Sequence, residues 1–181
     1  AAIARRTAEA VLAETSRRPA IELDGVRGLV TCTAIAIVRD YYGVDVGDEE
    51  DFANCCCAAS HYLFYPKRVA KYEALGLAAA ARINAVIAAA IQTGGVGCPS
   101  DTILSRMHGT LPHDRLQVIL FGMIMGFVPT NTMAGGHILD VLLDRSDAME
   151  HSREAANSKL NDDARLRRCL FEAMRFMPLV R

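Results

Sequence analysis

The chain has 181 residues, 51% of them hydrophobic and 23% charged, with a formal net charge of −1. A chain of this length buries about 70% of its unfolded surface, which suits one domain with a sizeable core and excludes a small disulfide-stapled scaffold. The near-neutral charge and high apolar content exclude a disordered chain and a nucleic-acid-coating one.

Period 3.6 dominates the hydrophobic pattern from the N-terminus onward, and alanine enrichment favours helix throughout. Residues 1–17 are rich in Ala, Arg and Glu and stop before Pro19. From Glu22 to Tyr42, Val26, Leu29, Val30, Ala34, Ile37, Val38 and Tyr41 recur at three- and four-residue steps, with Gly43 as the C-terminal cap. Glu49, Glu50 and Asp51 suit the positive end of a helix that opens at Gly47 and Asp48 and runs to about Leu63. Pro66 fits the first turn of a long alanine-rich helix ending near Gln92, where Gly94, Gly95 and Gly97 form a linker. Ser100 or Asp101 caps a short helix through Met107, and Pro112 to Asp114 start the next.

That next helix, from Asp114 to about Asp144, would be about 46 Å long at 1.5 Å per residue, enough to be the spine of the fold. Pro129 removes a backbone hydrogen bond inside it, and Gly126 and Gly136 lower its propensity, so a kink or opening is expected near its middle. Helices from Ser146 to Ala156 and from Asn161 to Met174 complete an all-α reading without a strand. One domain covers residues 1–181, and its non-Met start and FMPLVR end read as cuts through a longer chain.

Cys32, Cys55, Cys56, Cys57, Cys98 and Cys169 include three in a row and no CxxC. Such neighbours do not build a bridge framework, so a reducing, cytoplasmic setting is expected. The longest apolar stretch, Leu116 to Pro129, contains Gln117 and two glycines and is shorter than the roughly 18 residues of a membrane span. It reads as a buried helix, and no transmembrane segment is expected. AAIARRTAEAVLAE lacks the apolar block of a secretory signal.

Two constellations carry chemical interest. Glu172 and Arg175 stand three apart on one helical face; their apolar neighbours Leu166, Leu170, Phe171, Met174 and Phe176 predict a largely buried helix and set a buried pair against an ordinary surface ion pair. Around Pro129, Thr130 either hydrogen-bonds the freed carbonyl or, with Asn131 and Thr132, lines an opened turn that admits a ligand atom or water. Other candidates carry less. Cys98, His108 and His113 give three ligands without a fourth for zinc, Cys55 to Cys57 have no basic neighbour to activate a thiolate, and GGVG lacks the strand and lysine of a phosphate loop. His137 reads as a core or partly exposed histidine.

Three stretches, in order, resemble the cytochrome P-450 haem-thiolate family: GVRGLVTCTAIAIVRDYYGVDVGDEEDFANCC (25–56), FGMIMGFVPTNTMAGGHILDVLLDR (121–145) and NDDARLRRCLFEAMRFMPLV (161–180). The second is similar to that family's long helix over the haem and the third to its ExxR helix, here Glu172 and Arg175 followed by Pro178. The resemblance implies an all-α bundle around a long kinked central helix, present as a partial fold. It implies haem b in the full-length protein, an apolar small-molecule substrate and an electron donor or peroxide. Thr130 would be the catalytic hydroxyl on the oxygen side, Gly126 and Phe127 would face haem or substrate, and Glu172 and Arg175 would be structural. His61 would line a substrate channel. Two departures stand out: Pro129 occupies the place of the acid that normally precedes the threonine, and none of the six cysteines lies in a Phe-x-x-Gly-x-x-x-Cys-x-Gly ligand loop. Thiolate ligation underlies oxygen–oxygen cleavage in such enzymes, so activity is not expected of this chain alone. A non-catalytic helical module derived from the same fold, or a hydroperoxide-using variant, are the alternatives.

Overall fold

The computed structural model describes residues 1–19, 22–64, 69–157 and 163–176, and among them all extended regular structure is helical. The all-α expectation is met. The elements are α1 (Ala2–Thr15), α2 (Cys32–Ile37), α3 (Glu49–Phe64), α4 (Ala70–Thr93), α5 (Ile103–Met107), α6 (His113–Asp144), α7 (Ser146–Ala156) and α8 (Asp163–Phe176). The positions expected at Pro66 and Asn161 lie outside the described residues.

The segment read as one amphipathic helix up to Tyr42 is helical but unevenly wound. Wide π turns at Gly25–Thr31 and Val38–Tyr42 flank α2. Asp24 opens the segment, its carboxylate accepting the amides of Val26 at 3.0 Å and Arg27 at 2.8 Å. The side chains of Thr31 and Cys32 donate five residues back, to the carbonyls of Val26 at 3.0 Å and Arg27 at 3.4 Å. Apolar spacing of three and four does not distinguish 3.6 residues per turn from this wider winding. The segment ends at Gly43, as expected, with a left-handed φ of 85°. A Cβ there would run into the side chain of Thr102, so both the backbone angle and the space require glycine.

Thr102, rather than Ser100 or Asp101, caps α5. Its hydroxyl accepts the Ser105 amide at 3.1 Å while the Ser105 hydroxyl accepts the Thr102 amide at 2.9 Å, a reciprocal capping box. Asp101 pairs instead with Arg106 at 2.9 Å.

The chain divides into two compact units, Ala1–Asn131 and Thr132–Arg181. Unit 1 owns the main core. Ile83, Ile87 and Ile91 on α4, and Leu116, Leu120, Ile124 and Val128 on α6, repeat at four-residue steps and are almost wholly buried. They share one cluster with Ile35, Val38 and Phe52. Each such side chain contributes about 1.5–3 kcal/mol by leaving water. Helices α3 and α4 cross closely: Ala59 and Ala79 are buried, and a Cβ on Gly76 would overlap the Tyr62 side chain. Arg82 of α4 pairs with Asp51 in the first turn of α3, farther along the same pair of helices.

Unit 2 holds α7, α8 and the C-terminal part of α6, and buries Leu142, Ser152, Ala155 and Ala173. Here the expectation of a largely buried final helix is corrected. Phe171 is 69% and Phe176 54% exposed, while Leu166, Leu170 and Met174 are half-buried. The apolar stripe that turns inward is narrow, and counting apolar residues without their angular positions overstates it.

Helices Ala70–Thr93 and His113–Asp144 are each long and apolar enough, by length and composition, to cross a membrane. In their most apolar windows 28% and 22% of residues are buried.

Candidate functional site

Helix α6 runs without interruption from His113 to Asp144 with Pro129 inside it. Pro129 is buried, and the polar contact beside it comes from Asn131, whose amide donates to the Phe127 carbonyl at 2.8 Å. The carbonyl that Pro129 leaves free is that of Met125, four residues back; Asn131 bonds a different one, and Thr130, expected at the freed carbonyl, is exposed. Pro129 is thus enclosed while its two polar neighbours turn outward.

Next to this turn lies a cavity of about 250 Å³ in unit 1. Leu29, Val30 and Ile37 from the segment around α2 and Phe127 from α6 form apolar walls, and Thr33 and Asn131 supply polar groups. The wide winding before α2 belongs to the same wall, and such turns recur at functional positions because they re-aim side chains. Phe127 is fixed from behind by Tyr42, ring edge to ring face at 5.7 Å between centroids. Burial pushes the Tyr42 hydroxyl above its ordinary pKa, with Tyr41 adding to the effect, so it stays protonated.

Of the three residues expected on this face of α6, Phe127 and not Thr130 or Gly126 lines the cavity. Gly126 is half-buried, and a Cβ on it would meet nothing within 4 Å. The helix face at Gly126 is therefore open. Thr33 was not anticipated. Its signal is its place inside an otherwise apolar stripe running through Val26, Leu29, Val30, Ala34 and Ile37.

In unit 2, Glu172 and Arg175 do meet. The guanidinium donates from Nε at 2.9 and 3.0 Å and from Nη2 at 2.6 Å, holding the Glu172 carboxyl below the usual range, with the Arg145 charge adding to the effect. Both side chains are more than half exposed, so of the two sequence readings the surface ion pair describes them. Arg145 in turn donates to Asp147 from Nη2 at 3.0 Å and from Nε at 3.4 Å, lowering that carboxyl as well. A second cavity, of about 320 Å³, is lined by Glu172 and Arg145 together with Ser152, Arg168 and Phe176.

His108 bonds through Nε2 to the Ile91 carbonyl at 3.1 Å, tying α5 to α4, and its ring lies 5.6 Å from that of His113. His61 is exposed and edge-on to Tyr72 at 5.2 Å, and His137 is half-buried. All six cysteines are free. Cys56 is fully buried, and burial pushes its thiol up to about 12, so it is inert as a thiolate near neutral pH.

A haem of the kind implied by the resemblance needs an axial thiolate. No cysteine lines the cavity beside Phe127, and no group of three or more His, Cys, Asp or Glu among the described residues is placed to hold a metal ion. The open face at Gly126 leaves space but offers no ligand. The residues described do not make a haem site by themselves, and no reaction step through iron follows from them. Comparison with protein-family models, curated proteins and solved structures finds no match to this chain.

Proposed function

We propose that the chain is the helical part of a haem-dependent oxidoreductase resembling cytochrome P-450, one that oxidises an apolar small molecule. The observation that carries this reading is the apolar cavity against the long helix α6, lined by Phe127 from the very stretch that resembles the family's central helix. In this reading a cysteine from a segment other than the described residues would supply the thiolate ligand of the haem. The electron donor, or a peroxide in its place, is a separate molecule. This chain's own residues would then do three things. Phe127, braced by Tyr42, would present an apolar wall to substrate; Gly126 would keep the face of α6 low enough for a flat macrocycle to approach; Thr130 would offer a hydroxyl on that exposed side. Glu172 and Arg175 would act on structure alone. A cytoplasmic location without a membrane span belongs to this reading, supported by Arg82 and Asn84 in mid-α4, which engage Asp51 and Gln117.

The test is expression of the complete parent reading frame, reduction, and exposure to carbon monoxide. A thiolate-haem absorption band is expected, and Phe127→Ala should weaken the spectral shift caused by apolar ligands about tenfold, as loss of a buried aromatic wall implies. A folded full-length protein that binds no haem overturns the reading.

A second reading, a non-catalytic helical module that binds an apolar ligand, is favoured by one observation: Pro129 stands where the resembled helix carries its acid, and its buried ring cannot relay a proton. It predicts that residues 1–181 alone bind apolar probes beside Phe127 without haem.

A further inference from the structure

The cavity of unit 2 is used by none of the roles above. Its walls are largely apolar, from Val141, Leu142, Ala173 and Phe176, and the guanidiniums of Arg145 and Arg175 lie over the Phe176 ring at 5.3 and 4.9 Å from its centroid. Ser152 lines the same cavity; it is 6% exposed, and its hydroxyl has no hydrogen-bond partner among the described residues. Native proteins rarely leave a buried donor in that state, and a helical serine could have bonded back to its own helix.

The charges around the cavity sort themselves. Arg145 is committed to Asp147, Glu172 to Arg175, and His151, also in the wall, bonds through Nδ1 to the Asp147 carbonyl at 2.7 Å. Arg168 lines the cavity with no ion-pair or hydrogen-bond partner among the described residues. One uncommitted cation, one orphaned buried hydroxyl and apolar walls therefore converge on about 320 Å³, near the lower end of the roughly 300–1,000 Å³ typical of small-molecule sites.

We propose that this cavity binds a compact amphipathic monocarboxylate, its carboxylate on Arg168 and Ser152 and its apolar body against Leu142 and Phe176. The guanidinium fork matches a carboxylate better than a neutral headgroup, and the one cation of the cavity wall without a partner among the described residues matches a single negative charge. The site rests on the geometry of unit 2 and stands or falls separately from the haem reading.

Amide NMR of the whole chain, titrated with octanoate and separately with 1-octanol, tests it. Octanoate should shift the amides of residues 141–152 and 168–176 saturably and bind at least about tenfold more tightly than the alcohol, as a charge-assisted contact implies. Arg168→Gln should abolish that preference while leaving octanol binding unchanged, and Ser152→Ala should weaken octanoate several-fold. Arg167→Gln, which removes an exposed neighbour outside the cavity, should change neither. Equal binding of acid and alcohol, shifts centred on other residues, or equal losses in Arg167→Gln and Arg168→Gln would each overturn the proposal. The acid-to-alcohol comparison uses the unmodified chain, so the outcome does not depend on a variant folding.

Discussion

The two units of this chain use the same helical material in different ways. In unit 1, stripes at four-residue spacing on α4 and α6 close over Phe52 and Ile35, and side chains as large as these vanish from solvent together. In unit 2, the fully buried positions are few and small, Leu142 apart, and the surface carries paired guanidiniums and carboxylates. Exposed ion pairs add little stability, since attraction is screened and two long side chains must be immobilised. Helix content alone is thus a poor guide to where cohesion lies: unit 1 is held by burial, and unit 2 leaves a buried hydroxyl, without a partner among the described residues, that a ligand could complete.

The sharpest way to break this contrast is to shorten one core side chain in each unit. Ile87→Ala should cost about 4 kcal/mol and Leu142→Ala about 2 kcal/mol in urea unfolding, because a fully enclosed site cannot collapse around the void; equal costs would erase the distinction. Thiol labelling sharpens it further. In a Cys55→Ser, Cys57→Ser background, Cys56 should alkylate at least about a hundredfold more slowly than the half-exposed Cys169, a difference of about 2.8 kcal/mol in opening free energy. Comparable rates would mean that unit 1 opens as readily as unit 2. Within unit 1, Gly43→Ala should cost about 2 kcal/mol, combining the left-handed backbone with the collision at Thr102, and a thermal melt unchanged from the parent would show that this turn can shift.

The smallest effect concerns acid. Asp147 and Glu172 are both held below the ordinary carboxylate range by arginines. A depressed folded-state pKa gives stability that is present above the unfolded value, about 4, and is lost as pH falls through the folded one. Between pH 7 and pH 3, Glu172→Gln should therefore lose slightly less stability than the parent chain; a larger loss in the variant would reverse the assigned sign.

Much of this architecture is legible in the residues. Gly43 announces its cap, the Ser146–Ala156 helix falls where its composition places it, and α6 spans the length that its apolar run suggests. What escapes is information that periodicity does not carry. Spacing cannot report winding, so the π turns around α2 stay hidden. It cannot report which side of α8 turns inward, so Phe171 counts as core until its exposure is seen. At the candidate sites, the proline turn is visible as an anomaly, yet that Asn131 bonds the Phe127 carbonyl while Thr130 turns outward depends on side-chain reach. Ser152 could have been found as the polar residue between Ala148 and Ala155 on one helical stripe, whereas the freedom of Arg168 exists only once its neighbours have chosen partners.

The close crossing of α3 and α4 at Gly76 sets a rule for how the sequence can drift. Along that seam the limiting variable is side-chain size rather than polarity: Ala59, Gly76 and Ala79 admit no growth, while Ala78, Ala81, Ala85 and Ala89 on the same alanine-rich helix face solvent and can change freely. Identical letters in one helix thus carry unequal mutational tolerance. Substitutions that merely lengthen a side chain are silent on one side of α4 and force the two helices apart on the other.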